Sequence, residues 1–165
     1  MPVATDPRIA IEQAKQHAEN GKARFLKTFS YVPDDKLGYA PSQTARTPLR
    51  VAAHVGLANF NLAKIIRGEP LPDVSAEELF AKVAEAEKGI TTREQALQTI
   101  EASHQDVLSA LDSLSPDMIE REVHTPGLDA PMTFYMNLPG LHMFGHAAQI
   151  DYQQTIWGDM DPHFN

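Results

Sequence analysis

Three histidines have the spacing to bind one metal ion. His142 and His146 are four residues apart, so on a helix they share one face, with Cβ atoms about 5–6 Å apart. His54 lies between Val51 and Ala58 on the apolar stripe of a predicted helix, from which a third imidazole can meet the first two across a helical bundle. Neutral imidazole binds transition metals such as Zn²⁺ and Ni²⁺. Three protein ligands leave coordination positions open for water or substrate, as in catalytic sites.

The same pattern also fits histidines that simply belong to the core. A single HxxxH pair is weak evidence for a metal, and one inward histidine is more often a hydrogen-bonded core residue than a ligand. His104 competes for the site, because it also falls on an inward stripe. No Glu follows His142, so the pattern is not the HExxH of zinc proteases. The chain also lacks the two ExxH motifs of a carboxylate di-iron bundle.

Other polar residues are assigned from their position on the predicted helices. Gln149 continues the face of His142 and His146. The candidates to contact and orient the ligand histidines are Gln149, His104 and Tyr152, and no residue is identified as a catalytic base. Four acidic residues are predicted to form an exposed charged face: Glu85, Glu87, Glu94 and Glu101. We expect His17 to be partly exposed, and His124 and His163 to be solvated.

Four long segments with helical periodicity must position these side chains. Asp6-Pro7 and Thr47-Pro48 each place a capping side chain before a proline, which is typical of a helix start. The predicted long helices cover about 6–29, 47–68, 91–116 and 133–157, and a short helix follows Ser75. Pro139 either kinks the last helix or marks its true start. The loop 120–131 has room for a short extended piece.

These amphipathic helices predict an all-α fold, a four-helix bundle with long connections that forms one domain over residues 1–165. Tight antiparallel neighbours need only about 2–8 connecting residues, whereas the predicted connections are much longer. A crossover between the second and third long helices is therefore expected.

Composition excludes several functions. The chain has no cysteine, so thiolate metal sites and a cysteine nucleophile are excluded, and any thiol must come from a small molecule. The net charge of −8 without a basic cluster argues against nucleic acid. The stretch Met1–Asp6 has no signal-peptide pattern, and no apolar run reaches the roughly 18 residues of a membrane span. We therefore expect a cytoplasmic protein that binds no membrane.

Two segments carry a resemblance to a known family. Residues 47–55, TPLRVAAHV, and residues 142–150, HMFGHAAQI, place one histidine early and an HxxxH pair late. In this order, and in the ending with Trp157-Gly158 and Asp161-Pro162, the chain resembles the DinB-like (YfiT-like) family of metalloenzymes over nearly its whole length. Many members have Arg-Gly after the last histidine, where this chain has Ala147-Ala148.

The resemblance implies more than the spacing alone. It implies a four-helix bundle, a Zn²⁺ or Ni²⁺ ion on His54, His142 and His146, and a homodimer. Characterised relatives include transferases and isomerases that use low-molecular-weight thiols such as bacillithiol, mycothiol or glutathione.

Three classes of function follow. The first is a metal-dependent enzyme that acts on a small molecule, such as a thiol S-transferase or a hydrolase, because an open metal site activates thiols and water. The second is a non-enzymatic metal-binding or stress-response module. The third is a helical interaction protein whose histidines lie in the core.

Overall fold

The computed structural model describes residues 6–163, and within them helices predominate and strand is almost absent. Residues 1–5 and 164–165 lie outside the described residues. The stretch Met1–Asp6, for which no signal-peptide pattern is predicted, therefore falls almost entirely outside them. The helices are α1 (Pro7–Ser30), α2 (Pro48–Arg67), α3 (Ala76–Glu87), α4 (Arg93–Asp112), α5 (Pro116–Ile119) and α6 (Met132–Ile156), with a 3₁₀ helix at Asp34–Lys36. The predicted all-α class is confirmed.

The ends of the helices follow local capping chemistry. The side chains of Asp6, Thr47 and Ser75 accept backbone N–H groups at the starts of α1, α2 and α3. Gly68 ends α2 with a positive φ of 72°, a conformation that glycine adopts without strain. The capping box of α4 is formed by Thr92 and Gln95, so the helix is capped one residue after its predicted start at 91.

The four long helices pack in two parallel pairs. Contacts of His17 with Asn137 and of Arg24 with Asp151 show that α1 runs parallel to α6. α2 also runs parallel to α4, because the contacts of Gly56 with Ile100 and of Arg67 with Asp106 advance in the same direction along both helices. Since α2 and α4 are consecutive long helices that point the same way, residues 68–92 return along the bundle. The expected crossover is therefore confirmed, and α3 lies within it.

Between the two pairs, α2 packs antiparallel to α6 and α1 antiparallel to α4. Buried apolar side chains from all four long helices fill the interior in two clusters. The seam between α2 and α6 is the one that carries His54, His142 and His146.

The parallel pair α1 and α6 touches backbone to backbone. A Cβ atom at Gly21 would lie 2.6 Å from the carbonyl oxygen of Gly140, and a Cβ at Gly140 would meet the carbonyl of His17. Only glycine at both positions permits this close approach. Pro139 lies inside α6, which continues through it to Ile156, so it does not mark the start of the helix.

The connections after α4 and the C-terminal histidine agree only in part with the predictions. The expected extended piece is present as two paired two-residue strands, Glu122–Val123 and Ala130–Pro131. Pro116 begins α5 rather than ending α4 directly. His163 was expected to be solvated, but its ring stacks on Tyr31 at 3.8 Å between centroids and contacts Asp159.

Among the described helices, none combines the length and apolarity needed to cross a bilayer.

Candidate metal centre

The three predicted ligands converge on one point. The Nε2 atom of His142 lies 3.1 Å from that of His54 and 3.0 Å from that of His146. His54 reaches this point from α2, and the other two come from successive turns of α6. One ligand atom from each ring lies within 4.8 Å of the others, an arrangement that can hold a metal ion.

A buried carboxylate orients the His54 ring. Glu87, at the end of α3, is fully buried, and its Oε1 atom lies 2.9 Å from Nδ1 of His54. A carboxylate at this position accepts the Nδ1 proton, so the Nε2 lone pair of His54 is left free to face the centre. Glu87 in turn accepts hydrogen bonds from Arg46, at 3.2 and 3.4 Å, and from Arg50, at 3.0 Å.

An amide performs the same task for the third ligand. Nδ1 of His146 lies 2.6 Å from Oε1 of Gln149, one turn later on α6. The amide oxygen accepts the Nδ1 proton and leaves the Nε2 lone pair of His146 free. Nδ1 of His142 is buried and has no hydrogen-bond partner among the described residues.

The protonation pattern makes the centre a good fit for a cation. Two Nε2 lone pairs, on His54 and His146, face the same Nε2 atom of His142. A neutral His142 can donate its Nε2 proton to only one of them, so at least one of the two lone pairs is left without a donor. Two nitrogen atoms that bind one ion at about 2.0–2.1 Å stand roughly 3 Å apart, which matches the observed separations. A divalent ion between the three rings would therefore satisfy all three lone pairs.

Burial also keeps these imidazoles neutral. It is the main cause of a lowered pKa at His54, His142 and His146, and it lowers the pKa of His142 to about 3. The positive charge of Arg46 acts in the same direction on all three. Burial would raise the pKa of Glu87, but its hydrogen bonds and charge interactions with Arg46 and His54 hold it below the ordinary value.

Two cavities flank the centre along the α2–α6 seam. A cavity of about 400 Å³ begins one helical turn before His142, at Leu138, and two turns after His54, at Asn61. Most of its walls are apolar, with Phe80 and Leu79 of α3 facing Phe134 and Leu138 of α6. On the other side, a cavity of about 590 Å³ is lined by residues that include Arg46, Val51, Gln149 and Tyr152.

The other site candidates lie at different distances from the centre. Gln149 contacts His146 directly, and the exposed side chain of Tyr152 lines the larger cavity. His104 is fully buried on α4 and faces α1, with its Nε2 atom 3.3 Å from Glu19. The structure does not bring His104 to the three converging rings.

Glu87 is the residue that sequence reasoning missed. The prediction that it lies on an exposed acidic face is wrong, whereas Glu85, Glu94 and Glu101 are exposed as predicted. Two signals mark Glu87 in the sequence. It falls four and eight residues after Val83 and Leu79, on the inward face of α3, and an acidic residue in the last turn opposes the helix dipole.

One family model matches the chain. It is described as the DinB superfamily and covers residues 17–150, a span that includes all three histidines and Glu87. No curated protein matches the chain.

Proposed function

We propose that this chain, which belongs to the DinB superfamily, is a metal-dependent enzyme that acts on a small molecule. The observation that carries the proposal is the convergence of three Nε2 atoms, with no fourth ligand from residues 6–163, at a seam flanked by two cavities. A structural zinc site normally has four protein ligands, whereas a three-ligand site leaves room for a reactant.

Each residue has a defined task in this proposal. His54, His142 and His146 hold the ion, which we expect to be Zn²⁺ or Ni²⁺. Glu87 and Gln149 fix the tautomers of His54 and His146. Because all three ligands are neutral, a divalent ion there would keep its full charge and act as a Lewis acid that lowers the pKa of a coordinated thiol or water.

The favoured reaction is transfer of a low-molecular-weight thiol to an electrophile. The chain contains no cysteine, so the nucleophilic sulfur must come from a co-substrate. A thiolate is a much stronger nucleophile than a thiol. The cavity of about 400 Å³, with its apolar walls, lies in the size range of small-molecule sites, roughly 300–1,000 Å³, and suits an apolar electrophile.

The test combines elemental analysis with turnover. Untagged protein is loaded with Zn²⁺ or Ni²⁺, and conversion of 1-chloro-2,4-dinitrobenzene is followed with glutathione, bacillithiol and mycothiol. In this reaction a C–S bond forms, chloride leaves and the thiol gives up its proton. We expect a rate that needs metal and is lost in His146→Ala but kept in His124→Ala. Bound metal without turnover of this or any hydrolysable substrate would instead favour a non-enzymatic metal-binding module.

We also propose that the protein forms a homodimer through the outer face of α6. Leu141, Phe144 and Tyr152 share this face, and their side chains are 57%, 45% and 69% exposed. Apolar side chains this large and this close together are unusual on the surface of a monomer. A second copy of α6 would cover them next to the metal centre.

A further inference from the structure

Two arginines share a single carboxylate beside the metal centre. Arg46 and Arg50 both donate to Glu87, and the donors on the two guanidinium groups outnumber the acceptor positions of one carboxylate. The three imidazoles are neutral as ligands, so they balance no charge. The side chains alone therefore leave one positive charge at this end of the seam, in a chain whose net charge is −8, and a bound divalent ion would add two more.

The two arginines differ in what they line and not in exposure, since their side chains are 38% and 39% exposed. Arg46 lines the cavity of about 590 Å³, and among the described residues that line this cavity it is the only charged one. Arg50 does not line the cavity, and its Nε atom is buried without a partner among the described residues.

Arg46 is also held in place from two sides. Its Nε and Nη2 atoms contact the fully buried Glu87, and its main-chain carbonyl accepts a hydrogen bond of 2.7 Å from Gln153 of α6. A guanidinium that is already oriented loses little rotamer entropy when it binds an anion. These contacts distinguish Arg46 from a mobile surface arginine.

We propose that Arg46 binds a carboxylate group of the substrate or co-substrate in this cavity, while another group of the same molecule reaches the metal. The proposal rests on the metal-dependent function proposed above. The charge of Arg46 is separate from that of the ion, so it favours an anionic group in addition to the thiolate, and guanidinium–carboxylate pairs form strong, oriented hydrogen bonds. None of the three histidines lines this cavity, but hydrogen bonds of 3.2 and 2.9 Å link Arg46 through Glu87 to the His54 ring, so the guanidinium lies close to the metal centre.

Matched thiols test the proposal without knowledge of the natural substrate. Zn²⁺-loaded protein is titrated by calorimetry with mercaptocarboxylic acids HS–(CH₂)n–COO⁻ and with the primary amides of the same lengths. A hydrogen bond to a charged group contributes about 1.5–3 kcal/mol, or roughly 10–100-fold in affinity. We expect one or more chain lengths to bind at least about tenfold more tightly as the acid than as the amide.

Arginine variants then show which arginine causes the preference for the acid over the amide. Arg46→Met should bind acid and amide equally, with its Zn²⁺ content verified by elemental analysis. Arg50→Met is the matched control, because it also removes one guanidinium from Glu87 but does not change the lining of the cavity. It should keep the preference for the acid. Arg46→Gln carries the same measurement if Arg46→Met does not fold.

The outcomes separate this inference from the proposed function. Equal binding of acids and amides by the wild type at every length overturns the role of Arg46 but leaves an open metal site intact. The same holds if Arg50→Met loses the preference as fully as Arg46→Met. If no thiol of either kind binds the Zn²⁺-loaded protein, the proposed function fails, and the role of Arg46 fails with it.

Discussion

Replacing Glu87 with glutamine should weaken metal binding without unfolding the protein. The carboxylate lies 2.9 Å from Nδ1 of His54 and is fully buried, so in the proposed site it strengthens the His54–metal bond through that hydrogen bond, while its other hydrogen bonds hold it between Arg46 and Arg50. A glutamine of nearly the same volume can still accept the proton, but as a neutral acceptor. The charge-assisted part of the interaction is lost.

The expected loss can be estimated in two ways. Hydrogen bonds to charged groups contribute about 1.5–3 kcal/mol, against about 0.5–1.5 kcal/mol for neutral pairs. The difference is on the order of 1–2 kcal/mol, or roughly 5–30-fold in affinity. Loss of a group that hydrogen-bonds to a metal ligand commonly costs about 10–100-fold in metal affinity. The two ranges overlap near tenfold, which is the expected weakening for Glu87→Gln.

The assay is a competition titration of metal-free protein against a chelator of known affinity for Zn²⁺. Glu85→Gln is the matched control, since it makes the same change two residues earlier on α3 at an exposed position, and it should bind like the wild type. Circular dichroism checks that both variants remain helical. If Glu87→Gln binds Zn²⁺ within twofold of the wild type, the carboxylate does not support His54 and the reasoning is refuted.

Three further predictions concern the same centre and its surroundings. His146→Ala should lose most of its bound metal in elemental analysis, whereas His124→Ala should keep it; stoichiometric metal of wild-type affinity in His146→Ala would mean that the ligands are wrongly assigned. Burial lowers the pKa of His142 to about 3, so an unfolded chain with a pKa near 6.5 takes up the proton first. The free energy of unfolding of the metal-free protein, measured with urea, should thus be largest above about pH 6.5. Below that pH His142 alone lowers it by up to about 1.4 kcal/mol per pH unit, so His142→Gln should flatten the slope, and the lowered pKa values of His54 and His146 should keep part of it. Phe144→Glu should convert the proposed dimer to a monomer in light scattering, and a wild type that is already monomeric at micromolar concentration would rule the dimer out.

The histidines could be found from the sequence because their information is local. Periodicity within one helix shows that His142 and His146 share a face and that His54 lies on an apolar stripe. A bundle of antiparallel neighbours then has few ways to bring these positions together. The helix boundaries were predictable for the same reason, since capping residues such as Thr47 and Gly68 act on their own turn.

The charged support of the centre was not predictable in this way. Glu87 meets Arg46 and Arg50 across 41 and 37 residues of sequence, and the partners lie on different elements. No periodicity within α3 shows that a distant arginine will neutralise a buried carboxylate. The stacking of His163 on Tyr31 was missed for the same reason, because it joins the residue after α1 to the C-terminal end of the described chain.

The glycine contact between α1 and α6 has a consequence for a site to which α1 contributes no ligand. Gly140 and His142 share one helical turn, so the distance between the two backbones also sets how far His142 stands from His54. A methyl group at Gly21 would push α6 away from its present line, and metal–ligand distances in real sites stay within about 0.2 Å of their usual values. If the centre binds zinc as proposed, zinc affinity should therefore depend on how closely two helices approach on the far side of the bundle, and small-to-large substitutions there should lower zinc affinity before they lower the helical content.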